Sequence, residues 1–158
     1  MASRKRKSSF VYVFYIRSTP QKVFRALTRP ELTRRYWVLE NVSDWKRGSP
    51  WKHVDGKGKV YLAGKVLESR PPRRLVISWA LPRDAANRAK HSRVAFDIER
   101  VAKMVRLTVK HDELEPGSSM QRGINNGWPR VLSSLKSFLE TGRPLVTWAV
   151  NDAQHRRR

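Results

Sequence analysis

The sequence predicts an α+β domain in which a curved antiparallel sheet wraps one long C-terminal helix. Strand-like segments with a single apolar face fill the middle of the chain. Two short helical signals follow the first strand, and an amphipathic stripe at spacings of three and four residues closes the pattern.

Phe10–Ile16 is aromatic and β-branched throughout, which suits a strand. Ser18 and Thr19 then offer helix N-caps, and Pro20 stands where a first helical turn tolerates proline. The short helix that follows turns Val23, Phe24 and Leu27 inward. Pro30 ends it or starts a second short helix carrying Leu32. Trp37–Trp45 and Pro50–Val54 read as strands. Asp55-Gly56 signals a hairpin turn with Gly58 just beyond it. Val60–Glu68 is the next strand, and Pro71-Pro72 breaks the chain. Arg73–Ala80 places Leu75, Ile77 and Trp79 on one face. After the polar loop Pro82–Lys90, Ser92–Arg100 alternates, with Val94, Phe96 and Ile98 facing one way. Met104–His111 alternates likewise, with Val105, Leu107, Val109 and His111 together. From about Gln121 to Thr141, the residues Ile124, Trp128, Val131, Leu132, Leu135, Phe138 and Leu139 form one helical stripe. Gly142-Arg143-Pro144 stops it. Pro129 predicts a kink, or marks the true first turn.

A sheet with one polar face must cover the other. Only the last helix is long enough to do so. About six or seven strands around one helix give a helix-grip arrangement with a cavity at one mouth, where ligands usually bind. The expected organisation is a disordered basic segment 1–8, one domain over 9–145 and a basic tail over 146–158.

The chain of 158 residues has 34 Lys and Arg against 13 Asp and Glu, a net charge of +21. Seven of these cations lie in Arg4–Lys7 and Arg156–Arg158, so 27 − 13 leaves +14 on the remainder. Such a charge attracts polyanions. Arg4, Lys5, Arg6 and Lys7, with Arg156, Arg157 and Arg158, are the candidate phosphate contacts, and Arg73, Arg74, Arg83, Arg88 and Lys90 can extend them. No recognition helix or base-stacking motif accompanies them, so binding to nucleic acid would be sequence-tolerant and salt-dependent. No apolar run approaches the ~20 residues of a bilayer helix. The basic N-terminus leads straight into a strand, without a signal-peptide apolar region. Cysteine is absent, which removes disulfide and thiolate chemistry. A cytoplasmic protein is the simplest expectation.

Trp37, Trp45, Trp51, Trp79 and Trp128 are many large aromatics for one small domain. They suit a pocket for flat or apolar ligands, and they equally suit filling a wide core. The expected cavity set is Phe24, Trp37, Trp45, Trp51, Trp79, Phe96, His111, Trp128, Leu132 and Leu135. His111 closes an inward strand face, where it can hydrogen-bond a ligand, act as acid or base, or be satisfied by backbone or tryptophan nitrogens. Enzyme chemistry has little support. His53, His91, His111 and His155 lack metal-ligand spacing. Gly56-Lys57-Gly58 is a turn rather than a phosphate loop. Asp112, next to His111, points to the other side of the strand. No catalytic residue, metal or cofactor is expected.

Four segments carry a family resemblance: 16–32 (IRSTPQKVFRALTRPEL), 36–50 (YWVLENVSDWKRGSP), 64–79 (GKVLESRPPRRLVISW) and 92–142, which includes LTVKH at 107–111 and GWPRVLSSLK at 127–136. Together they resemble the SRPBCC, or START-like, superfamily. Within it they resemble the family named for the activator of the ATPase of the ninety-kilodalton heat-shock chaperone. The resemblance implies the helix-grip (START-like, Bet v-like) fold. Relatives include carriers of lipids, sterols and plant hormones, polyketide cyclases, and a chaperone-binding domain. Implied partners are thus a small hydrophobic ligand or a chaperone, with a possible role in stress. The basic termini and surface charge excess are not part of the family pattern.

Overall fold

The computed structural model of the protein describes residues 6–145. Its elements are β1 (Ser8–Ile16), α1 (Pro20–Thr28), α2 (Pro30–Trp37), β2 (Glu40–Val42), β3 (Pro50–Val54), β4 (Val60–Arg70), β5 (Arg74–Trp79), β6 (Ser92–Val101), β7 (Met104–Leu114) and α3 (Ser119–Thr141). Short 3₁₀ turns at Pro82–Asp84 and Arg88–Lys90 join β5 to β6. The strands form one seven-stranded sheet in the order β1-β7-β6-β5-β4-β3-β2, and every neighbouring pair is antiparallel. This is the helix-grip fold, with α3 against the inner face of the sheet.

The local chemistry explains each boundary. Thr19 caps α1 by accepting the Lys22 N–H at Oγ1, 3.3 Å away, and Pro20 occupies the first turn. Pro30 does start a second helix. For α3, Ser118 Oγ accepts the Gln121 N–H at 3.1 Å, while Gln121 Oε1 accepts the Gly117 N–H at 2.6 Å. At the other end Gly142 takes φ 77° and returns its N–H to the Phe138 carbonyl at 2.8 Å, as a left-handed C-cap requires.

The expected strand Trp37–Trp45 is the main correction. Trp37 is the last residue of α2, and only Glu40–Val42 is extended. Burial overrides local β-propensity here. The second helix seats Tyr36 and Trp37 in the core, where the Tyr36 hydroxyl donates to the Ala26 carbonyl at 2.9 Å. Val38, at φ 78°, then turns the chain out of the helix. Helix α3 also runs unbroken through Pro129 from a start at Ser119, so the proline is not its first turn. The first strand begins at Ser8, inside the segment expected to be disordered, while 1–5 and 146–158 lie outside the described residues.

The core lies between α3 and the inner face. Ile124, Trp128, Val131, Leu132, Leu135 and Phe138 meet Leu75, Ile77, Val94, Phe96, Leu107 and Val109 there. Leu132 and Leu135 are 1% and 0% exposed, and burying each contributes about 1.5–3 kcal/mol. This packing holds the second half of α3 tightly. The first half, from Ser119 to Trp128, is where the packing opens.

Candidate functional site

A cleft of about 300 Å³ lies between the N-terminal half of α3 and the end of the sheet that carries Trp79. Its wall draws on α2 (Trp37), β4 (Leu62), β5 (Trp79) and α3 (Met120, Ile124, Trp128, Val131). Three indoles form its floor. Trp37 and Trp128 have ring centroids 5.4 Å apart, Trp79 and Trp128 5.6 Å, and Trp37 and Trp79 6.2 Å. These distances fit tilted and offset aromatic packing.

The space exists because α3 presents no side chain at two of its positions. Gly123 and Gly127, one helical turn apart, both line the cleft. A Cβ on either would meet nothing within 4 Å. At residues four apart on one helix face, missing side chains leave a continuous slot.

A directed chain of hydrogen bonds fixes the floor. An indole N–H only donates, so Trp128 Nε1 gives its proton to His111 Nδ1, 3.1 Å away. His111 must then carry its own proton on Nε2, which donates to Ser92 Oγ at 2.7 Å, and Ser92 donates to the Trp79 carbonyl at 3.2 Å. The relay joins α3 to β7, β6 and β5. Burial pushes the His111 pKa down to about 3, against the weak opposing pull of Asp112, so the imidazole is neutral. A second buried histidine supports Trp37. His53, its pKa pushed down to about 4 by burial, packs at a tilt against Trp37 with ring centroids 4.5 Å apart and donates from Nδ1 to Asn41 Oδ1 at 2.6 Å. Asn41 Nδ2 in turn donates to the Leu27 carbonyl at 3.1 Å.

Of the residues expected in the cavity, Trp37, Trp79 and Trp128 line it. The others stand elsewhere. Trp51 packs behind Trp79 at 5.3 Å and donates to the Ser78 carbonyl at 2.7 Å. Phe96 meets Trp128 edge-on from below at 5.8 Å. His111 is fully buried under the two indoles, and its ring nitrogens are both engaged. Leu132 and Leu135 belong to the tightly packed half of α3, and Phe24 to the core beneath α1. Trp45 leaves the region because its indole caps α1, donating to the Thr28 carbonyl at 2.8 Å.

Apart from the three tryptophans, the expected set held none of the residues that line the cleft, among them Leu62, Met120, Gly123, Ile124, Gly127 and Val131. The detectable signal was the pair of glycines four apart inside an apolar stripe. Among the described residues no group of three His, Asp or Glu side chains is placed to hold a metal, and no helix is long and apolar enough to cross a membrane.

The candidate phosphate contacts are dispersed. Lys7 pairs with Glu115, Arg74 with Glu68 and Asp97, and Arg83 and Lys90 with Asp84. Arg6, Arg73 and Arg88 are exposed. Arg4, Lys5, Arg156, Arg157 and Arg158 lie outside the described residues.

The fold recurs in solved structures. The Aha1 dimer of Colwellia psychrerythraea superposes with a TM-score of 0.71 at 21% identity, covering 85% of this chain and 98% of that one. An HSP90 activator from Plasmodium falciparum gives 0.69 at 22% identity, with 83% and 95% covered. A protein of Cytophaga hutchinsonii gives 0.66 at 27% identity, with 84% and 94% covered. No curated protein sequence matches the chain. The model of the family described as activator of Hsp90 ATPase homolog 1-like protein matches residues 17–140. The match spans both short helices, the sheet from β2 to β7 and nearly all of α3, and the chain belongs to that family.

Proposed function

We propose that the cleft binds a small, flat, largely apolar ligand without chemical conversion. The observation that carries this reading is the pairing of a three-tryptophan floor with a slot left by Gly123 and Gly127. A volume of about 300 Å³ stands at the lower end of ordinary ligand sites, so the fitting molecule has two or three fused rings rather than a long acyl chain. Trp79 is 4% exposed, and its Nε1 has no hydrogen-bond acceptor among the described residues. An unpaired buried donor costs about 1–3 kcal/mol.

The test is fluorescence titration with the neutral probe 1-aminoanthracene. The wild-type chain should bind it, and Gly127→Leu, which fills the slot, should abolish binding while leaving the thermal midpoint within a few degrees. Equal binding by both proteins, or none by the wild type, would remove the reading.

Family membership supports a second reading, stimulation of the ATPase of an Hsp90-type chaperone. It is tested by adding the purified chain to such a chaperone and measuring ATP turnover. No change at micromolar protein counts against it.

A further inference from the structure

The basic excess is unevenly distributed over the outer surface of the sheet. On β5, β6 and β7, cations meet carboxylates. Arg74 holds Asp97 at 2.6 Å and Glu68, from β4, at 3.0 Å, Arg93 and Lys110 share Asp112, and Arg106 pairs with Glu99. The ribbon of β2, β3 and β4 differs. Lys46, Arg47, Lys52, Lys57, Lys59 and Lys65 are all exposed. None lies within ion-pair distance of a carboxylate among the described residues. Of the ribbon's own carboxylates, Glu40 pairs with Arg34, Glu68 pairs with Arg70 and Arg74, and Asp44 and Asp55 are taken up in turns. Asp44 accepts the Lys46 N–H at 2.8 Å, and Asp55 accepts the Lys57 and Lys59 N–H groups at 2.9 and 3.0 Å.

Strand register turns these cations into a row. Gly48 bonds to Val66, which sets Lys46 and Arg47 at one end of the ribbon. Lys65 lies opposite Pro50, and Lys52 opposite Ala63. Lys57 and Lys59 form the hairpin at the far end. The alternate residues Trp51, His53 and Val66 are buried, so Lys52 and Lys65 project outward. Eight or nine residues at ~3.3 Å each make the row roughly 25–30 Å long.

We propose that this outer face of β2–β4 docks nucleic acid through its phosphate backbone, without base recognition. A duplex carries one charge per ~1.7 Å of axis, so each cation along the row can meet a phosphate. An anionic membrane would need apolar anchors beside the cations. On this ribbon only Val42 exposes a large apolar side chain, and the exposed row Val11, Val13 and Tyr15 stands on β1, at the opposite edge of the sheet. An acidic protein is the weaker fit, because five of the six cations are lysine, which protein interfaces disfavour.

The test measures anisotropy of a labelled 20-base-pair duplex with the full chain, across roughly 50–200 mM salt. The ribbon variant is K52Q/K57Q/K59Q/K65Q, and R106Q/K110Q on the neutralised half is the control. Near-UV circular dichroism checks that both remain folded. The wild type should bind with a steep salt dependence. The ribbon variant should lose affinity by about tenfold or more, with the slope of log K against log salt falling by about 3.6 in magnitude. The control should stay within about twofold of wild type. Unchanged affinity and slope in the ribbon variant would assign the binding to the terminal arginines and lysines and overturn the proposal. So would an absence of duplex binding, or ribbon-dependent binding to phosphatidylserine vesicles with none to the duplex.

Discussion

Trp128 Nε1 donates to His111 Nδ1 at 3.1 Å, and this contact ties the open half of α3 to β7. Both side chains are buried, at 3% and 0% exposure. Replacing Trp128 by Phe keeps one ring beside Trp37 and Trp79 but removes the N–H donor together with the bulk of the second ring, so a cavity adds to the loss. The unpaired His111 nitrogen should then cost about 1–3 kcal/mol. Urea unfolding at pH 7.5 measures the loss. Long-range ¹H–¹⁵N spectra of the wild type should show a proton on His111 Nε2 and none on Nδ1.

The two buried histidines set the acid side of the stability profile. Folding lowers both pKa values below the ordinary 6.5, to about 3 for His111 and about 4 for His53. The unfolded chain therefore takes up protons first as pH falls. The stabilisation from keeping these rings neutral is complete above about pH 6.5. It declines below that value and is lost once pH passes through the folded values. At pH 5 each ring should account for about 2 kcal/mol of lost stability. A plot of unfolding free energy against pH should show a slope near two protons around pH 5, falling to about one in His111→Gln.

Legibility in the sequence followed the range of the interactions. Strands β6 and β7 were readable because Val94, Phe96 and Ile98, then Val105, Leu107 and Val109, alternate against polar neighbours, a local signal. The expected strand Trp37–Trp45 was not, because Tyr36 and Trp37 pack on Ala26, His53 and Phe138, contacts that no local pattern encodes. Trp79 and Trp128 could be placed on inward faces by periodicity. Their joining through Ser92 and His111 depends on a β5–β6–β7 register that no local pattern encodes. The slot itself is formed by atoms that are missing at Gly123 and Gly127, and a reading that looks for ligand-contacting side chains passes over it.

Gly64 shows the opposite use of a glycine. A Cβ there would sit 1.9 Å from the Ser78 carbonyl oxygen and 2.6 Å from Trp51 Nε1. The bare Cα lets the Trp51 indole reach that carbonyl across β4. Gly64→Ala must push apart β5 backbone and the Trp51 ring, neither of which can swing away. The expected cost is on the order of 3 kcal/mol or more. Chemical denaturation should register it, together with a red shift in tryptophan emission as the Trp51 environment opens.

The glycines of α3 should respond with the reverse sign. At Gly123 and Gly127 a methyl group meets no atom within 4 Å, and neither residue has a positive φ. Alanine at either position should therefore stabilise the helix by roughly 0.5–1 kcal/mol, through lower unfolded-state entropy and better helix propensity. The double alanine variant should raise the thermal midpoint by several degrees and slow amide exchange between Ser119 and Trp128. It should also narrow the cleft and weaken 1-aminoanthracene binding. A stabilised protein with weakened binding would show that the helix carries poor helix formers where the slot needs space. If stability fell instead, the slot would have to be closed in solution, with neighbouring side chains already occupying the space the methyl groups enter.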